Sequence, residues 1–507
     1  MLFGSFEFLL AFLPVCLLVY HTCRVRGWQL PAKVFLVCAS LFFYGWWDWK
    51  YVFLVLGSIL ANYAIGAFMH RLPVPRRGPV LLVGLIFNLG LLGYYKYAGF
   101  FLGNLEAVFG WEFGFRAVIL PLAISFFTFQ QIAYIVEIRK GDHPAGTLLD
   151  YMLFILFFPH LIAGPITHHK EMLPQFAAAG RGPLPHSWVL AGLAVLILGL
   201  TKKVLVADTL ATYADPVFTA ALAGHAPTVA DAWLGALAYT FQLYFDFSGY
   251  SDMAVGLGLL FGIRFPVNFF SPYRSGSIIE FWRRWHITLS AFLRNYVYVP
   301  LGGNRKGKHR RYVNLLATMA IGGLWHGAAW TFVIWGVLHG LYLIVNHLWR
   351  ATVGEIRSPA FALFAWALTF LAVVVGWVFF RAPSVGSALG MLAAMVGLVP
   401  GTAVTGIPGP AFGWIVVAGA AAIAFLLPNV LQMVRYPEAF EGAAGPSHPG
   451  EATDSRPVGP HTTAHRPVEA RPVFARNAAL AAAALGVLAG ICFARLPDPG
   501  IFLYFNF

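Results

Sequence analysis

His326 stands midway along a strongly apolar run, MetAlaIleGlyGlyLeuTrpHisGlyAlaAlaTrpThrPheValIleTrpGly (319–336). A buried imidazole can stay neutral and titrates near neutral pH, so it can accept a proton from a hydroxyl and return it. GlyGly before it and GlyAlaAla after it let a substrate or a neighbouring backbone approach closely. The competing reading of the same residue is a packing histidine that donates one hydrogen bond. Asp246 and Asp252 sit in ThrPheGlnLeuTyrPheAspPheSerGlyTyrSerAspMet (240–253), an otherwise apolar segment. A carboxylate at bilayer depth is costly unless it faces a polar cavity or pairs with a base. Arg264, Arg274, Arg283 and Arg284 are the candidate partners. An ion pair that fixes helix packing and a direct chemical role both fit.

Between these two segments lie GluPheTrpArgArgTrpHisIleThrLeuSer (280–290) and PheLeuArgAsnTyrValTyrValProLeuGlyGly (292–303). One Glu, three Arg and His286 within fifteen residues is dense for a chain that is 11% charged. Trp and Tyr alternate with them, as rings do between headgroup and tail. The pattern predicts a half-buried amphipathic segment bordering a water-filled funnel.

Other chemistries are poorly supported. GlyGlyAsnArgLysGlyLysHis (302–309) nearly fits GxxxxGK[ST], but His309 replaces the Mg²⁺-ligating hydroxyl and no buried strand precedes it. A basic turn that attracts headgroups or an anionic cofactor is the better reading. There is no GxSxG elbow. His168 and His169 are adjacent, without the i, i+4 spacing that puts two imidazoles on one helix face. The four cysteines (Cys16, Cys23, Cys38 and Cys492) offer neither a disulfide framework nor a CxxC pair. No metal site is expected.

The elements that must position these residues are membrane spans. Of 507 residues, 59% are hydrophobic, and the mean hydropathy is +0.71. Soluble domains carry about 25% charged residues, so an ordinary soluble enzyme and a disordered chain are both excluded. About 20 apolar residues cross the hydrocarbon. Candidate spans fall near 5–21, 31–47, 51–69, 79–97, 118–136, 187–206, 232–261, 313–331, 332–349, 359–380, 411–428 and 478–495. Segments 148–163 and 286–301 are short or interrupted and read as re-entrant. An all-α polytopic protein with roughly 11 to 13 crossings is expected.

The net charge of +13 resides in short segments between apolar runs, so it sets orientation and meets headgroups rather than nucleic acid. Placing Arg24 to Lys33, Arg71 to Arg77 and Arg305 to Arg311 in the cytoplasm puts the N-terminus outside. The first run lacks a basic n-region and a cleavage site, so it reads as a retained span. Residues 437–476, rich in Pro, Gly, Ala and His, read as a mobile polar loop on the cytoplasmic side.

Four ordered motifs carry a resemblance: TyrPheAspPheSerGlyTyrSerAspMet (244–253), PheTrpArgArgTrpHisIleThrLeuSer (281–290), TyrValProLeuGlyGlyAsnArg (298–305) and GlyGlyLeuTrpHisGlyAlaAlaTrp (322–330). PhePheProHisLeuIleAlaGlyProIle (157–166) and the tail PheLeuTyrPheAsnPhe (502–507) accompany them. Together they resemble the membrane-bound O-acyltransferase family, in its bacterial polysaccharide-acetylating branch, to which alginate O-acetylation proteins belong. The core motifs lie within 120–345 of what is expected to be one integral membrane domain.

The resemblance implies a ring of tilted helices around a central tunnel open to funnels on both sides. It implies that His326 and His286 are the family's two characteristic histidines and places them in catalysis. Trp325, Asp246, Arg283, Arg284, Trp285 and Asn295 would line the substrate tunnel, and Arg305, Lys306 and Lys308 would attract the phosphates of the donor. It further implies acetyl-CoA as substrate with no bound cofactor, and location in a bacterial inner membrane. The expected partners are membrane lipids, a separate periplasmic SGNH-type acetyltransferase and an exopolysaccharide synthase and secretion complex. The acceptor would be an exopolysaccharide of alginate or cellulose type. A lipid, small-molecule or teichoic-acid acceptor is the alternative, and a transporter built on the intramembrane charges is the reading from another class.

Overall fold

Apolar runs deprived of water must close their backbone hydrogen bonds internally, and a single segment does so as a helix. The computed structural model of the chain describes residues 1–115, 118–141, 146–179, 181–354, 356–434, 436, 478–496 and 503, and these are helical nearly throughout. In chain order the helices are α1 (Leu13–Val25), α2 (Gln29–Gly45), α3 (Lys50–Arg71), α4 (Arg77–Leu92), α5 (Ala98–Phe109), α6 (Ile124–Lys140) and α7 (Leu148–Leu156). They continue with α8 (Phe158–Leu161), α9 (His169–Ala177), α10 (His186–Thr201), α11 (Asp208–Leu222), α12 (Val229–Leu260), α13 (Ile278–Arg284) and α14 (Ile287–Leu293). The last are α15 (Gly307–His326), α16 (Trp330–Thr352), α17 (Pro359–Arg381), α18 (Val385–Met395), α19 (Pro410–Leu426), α20 (Val430–Met433) and α21 (Ala478–Arg495).

Six helical stretches among the described residues are long and apolar enough to cross a bilayer: Glu7–Val25, Lys50–Arg71, Val74–Phe109, His186–Leu222, Trp330–Thr352 and Pro359–Arg381. Four shorter apolar helices accompany them, Gln29–Gly45, Val385–Met395, Pro410–Leu426 and Leu480–Arg495. The chain is therefore an all-helical, multi-pass membrane protein. Helix boundaries differ from the hydropathy reading where local backbone intervenes. The span expected from 118 starts at Ile124, after Ala123 adopts a left-handed conformation (φ 60°). The span expected at 313–331 is displaced to α15, whose first turn takes in the basic cluster, and it stops at His326 before an extended Gly327. Helix α18 was not expected, because eleven residues are too few to cross. The loop 437–476 and the tail 502–507 lie outside the described residues, apart from Leu503.

The chain divides into two compact units. One comprises Met1–Leu196, Gly249–Pro266 and Ile491–Phe507, the other Ile197–Ser248 and Val267–Gly490. In the first, α3, α4 and α6 are joined by a buried polar network. Ser58 donates to Gln131 (2.8 Å), Asn88 donates to Asn62 (2.6 Å), and Asn62 bonds Gln131. Such side-chain amides join helices where hydrophobicity cannot drive association. Several of the basic residues expected to orient the chain also bind within this unit. Lys33 pairs with Asp150 (2.7 Å), and Arg77 donates to the Ile138 carbonyl (2.7 Å).

In the second unit α15 and α16 form a close antiparallel pair. Gly323 abuts the Phe332 carbonyl and Gly336 abuts the Met319 carbonyl, so a Cβ at either position would strike backbone. This contact fixes the helix end that carries His326. The expected run of small residues around His326 thus serves helix approach.

Candidate active site

His326 is the last residue of α15 and is 2% exposed. The carbonyl end of a helix favours a nearby cation, which suits a base that becomes imidazolium on taking a proton. Three rings surround the imidazole: Trp325 at 4.9 Å (71°), Trp335 at 5.1 Å (89°) and Phe380 at 5.1 Å (72°). Steep edge-to-face packing of this kind holds a ring in one orientation.

His286 is fully buried between α13 and α14 in a left-handed backbone conformation (φ 43°, ψ 53°). A non-glycine residue there is strained, and such strain concentrates at functional sites. Its Nδ1–H donates to Asn268 Oδ1 at 3.0 Å. The direction follows from Thr288, whose backbone N–H (3.4 Å) and hydroxyl (2.9 Å) donate to the same oxygen. An oxygen that receives a backbone N–H cannot be the amide nitrogen. Asn268 therefore selects the tautomer of His286, leaving Nε2 as its acceptor nitrogen. Phe247 packs edge-on against the ring at 4.8 Å (88°), and Trp325 lies 6.1 Å away. The two imidazoles belong to one aromatic cluster.

Asp246 is 1% exposed and is held by Lys203 at 2.7 Å, which also binds Asp208 at 2.7 Å. Residues Lys202–Ala207 form a π-helical turn, which repeats at i+5 and so puts Lys203 and Asp208 on one face. The cation beside Asp246 is thus a lysine, where arginines were expected. Arg274 donates to the carbonyls of Ala424 and Leu427, and Arg284 pairs with Glu280 at 2.8 Å.

The remaining expected residues scatter. Trp285 is buried, stacked on Phe281 (5.6 Å, 15°) and tilted against Trp377 (4.8 Å, 45°). Arg283 is exposed, and half-buried Asn295 accepts from Arg294 at 3.1 Å. Arg305, Lys306 and Lys308 are exposed around the start of α15. Lys308 lies about 27 Å along the helix axis from His326, at the helical rise per residue. Among the described residues no three His, Cys, Asp or Glu side chains come together as a metal site.

Sequence reasoning missed Asn268, Lys203, Trp335 and Phe380. Asn268 left a signal, a lone amide between Val267 and Phe269 in an apolar stretch. Lys203 left another, a basic residue inside an apolar run.

Comparison with known proteins identifies the chain's relatives. The model of the membrane-bound O-acyltransferase family matches residues 146–388. A peptidoglycan O-acetyltransferase of Helicobacter pylori is 44% identical over 425 residues, covering 78% of this chain and 80% of that protein. The probable alginate O-acetylase AlgI of Pseudomonas putida is 47% identical over 403 residues, again 78% and 80% of the two chains. A teichoic acid D-alanyltransferase of Streptococcus thermophilus is 30% identical over 258 residues, 49% of this chain and 62% of that protein.

Proposed function

The chain belongs to the membrane-bound O-acyltransferase family and is an O-acyltransferase; from that premise we propose that it takes acetyl from cytoplasmic acetyl-CoA and delivers it for O-acetylation of an extracytoplasmic polysaccharide. The observation that carries this reading is the buried His326–His286 cluster, in which one imidazole has a fixed tautomer and the other ends a helix. His326 takes the proton of an acceptor hydroxyl as its oxygen attacks the thioester carbonyl. The C–O bond forms, the C–S bond breaks, and the proton passes from His326 to the departing thiolate. A positioned base contributes roughly 10²–10⁴-fold to such a step. Attack by His326 itself, through a transient acetyl-imidazole, is the covalent variant of the same geometry.

Asp246 and Lys203 would hold α12 against the π turn beside the reaction chamber, and Trp325 would shape that chamber. Arg283, Arg284, Trp285 and Asn295 would border the substrate path. Arg305, Lys306 and Lys308 would meet the CoA phosphates at the cytoplasmic surface, with the N-terminus on the periplasmic side of an inner membrane. A periplasmic SGNH-type acetyltransferase would complete transfer to the polymer, beside the synthase and secretion complex.

The acceptor is read as an exopolysaccharide of alginate or cellulose type. Peptidoglycan is the second reading, favoured by the name of the Helicobacter pylori relative. Purified protein given acetyl-CoA labelled in the acetyl group should release free CoA. Cells lacking the protein should lose acetyl esters from one polymer. Intact acetylation of alginate, cellulose and peptidoglycan alike in those cells would overturn the proposal.

A further inference from the structure

His339, on α16, is fully buried. Its Nδ1 accepts a hydrogen bond from the indole Nε1–H of Trp282, on α13, at 3.3 Å. An indole nitrogen only donates, so Nδ1 carries the lone pair and the neutral ring holds its proton on Nε2. That Nε2–H has no hydrogen-bond partner among the described residues, and neither has the Nε1–H of Trp335 one turn earlier. Both donors lie against Gly376 of α17. A Cβ built there would stand 2.9 Å from His339 Nε2 and 3.5 Å from Trp335 Nε1. The Trp335 ring contacts both imidazoles, His326 at 5.1 Å and His339 at 4.8 Å.

Burying an N–H donor without an acceptor is costly, and two side by side are complementary to a group that only accepts. Neither donor is charged, so an uncharged oxygen suits them better than a carboxylate or phosphate. A hydroxyl would bring a proton needing its own acceptor. We propose that Trp335 Nε1–H and His339 Nε2–H form a two-donor site for the carbonyl oxygen of the transferred acyl group. The proposal rests on the acyl-transfer reading above and adds the groups that polarise the carbonyl. As the acceptor oxygen bonds to the carbonyl carbon, negative charge moves onto this oxygen and both hydrogen bonds strengthen. When the C–S bond breaks, the charge leaves with the thiolate and the carbonyl reforms. Donors aimed at developing charge act in this way.

The test uses the full chain in detergent or nanodiscs with acetyl-CoA. His339→Phe and Trp335→Phe each remove one donor and should lower kcat about 10²-fold, the effect of losing one such donor, with KM for acetyl-CoA little changed. His339→Gln, which keeps an N–H, should retain more activity than His339→Phe. A ketone analogue of acetyl-CoA labelled with ¹³C at the carbonyl should show a lowered infrared carbonyl frequency on the wild type. That shift should shrink in His339→Gln and Trp335→Phe, which keeps the test decisive if His339→Phe does not fold. Wild-type kcat in His339→Phe overturns the site, as does an unshifted carbonyl band, which would leave the two donors to buried water. Failure of the wild type to release CoA would instead overturn the acyl-transfer reading.

Discussion

The imidazole centres of His286 and His326 are 6.3 Å apart, with their planes inclined by 58°. This spacing is too long for a direct hydrogen bond between the rings. Their environments differ: His286 has its tautomer fixed by Asn268, whereas His326 packs against Trp325, Trp335 and Phe380 and ends a helix. His326→Ala should leave expression near that of the wild type while abolishing polymer acetylation, a loss of at least about 10²-fold in turnover. Labelled acetate retained on the polymer by cells carrying the variant is the readout. Normal labelling would remove His326 from the mechanism.

Asn268→Leu removes the oxygen that accepts from His286 and Thr288. His286 would then be able to adopt either tautomer, and its ring would lose the hydrogen bond that holds its orientation. Turnover should fall by about 10-fold, less than for His286→Ala. Asn268→Asp, which keeps an acceptor for both donors, should restore most of it. Equal activity in the Leu and Asp variants would show that the tautomer is set elsewhere.

The helical class and the membrane were legible in the sequence, and the same physical reason made His326 stand out as a candidate. Burial in lipid demands long apolar runs, and a polar residue inside one stands out against them. His286 was legible as part of a dense polar motif, but its left-handed backbone was not, because nothing in TrpArgArgTrpHisIle announces a positive φ. The partner of Asp246 was misread for a related reason. Lys203 lies over forty residues away, in the π turn at Lys202–Ala207, and only the fold brings its ammonium to the carboxylate. Arg283 and Arg284 looked better placed because hydropathy says nothing about which face of a short helix a side chain occupies.

Lys203 binds two carboxylates, so its loss leaves buried Asp246 and half-buried Asp208 without it, whereas loss of Asp246 leaves a Lys203–Asp208 pair. Removing one member of a buried pair typically costs about 3–5 kcal/mol. Lys203→Met should therefore lower the thermal midpoint more than Asp246→Asn. Adding Asp246→Asn to Lys203→Met should recover part of the loss. The same variants separate the two readings of Asp246. If Asp246→Asn keeps the wild-type midpoint yet loses turnover, Asp246 acts in the chemistry; if both fall together, it fixes packing.

Near the end of α6, Glu137 accepts a hydrogen bond from Lys140 at 2.7 Å and pairs with Lys170, of α9, at 2.8 Å. Burial alone would push its carboxyl up, but the two ammonium groups outweigh that and bring it down to about 2. A carboxyl whose pKa is lower in the folded than in the unfolded chain stabilises the fold above the unfolded value. That contribution disappears as the pH falls through the folded value. The wild type should thus lose stability progressively between about pH 4.5 and pH 2 as this group takes up its proton. Glu137→Gln should have a lower thermal midpoint at neutral pH and a shallower acid slope, since it has no proton to gain. Midpoints measured at closely spaced pH values in one detergent would test this. Parallel pH curves for the two proteins would show that the α6–α9 junction does not depend on the charge of Glu137.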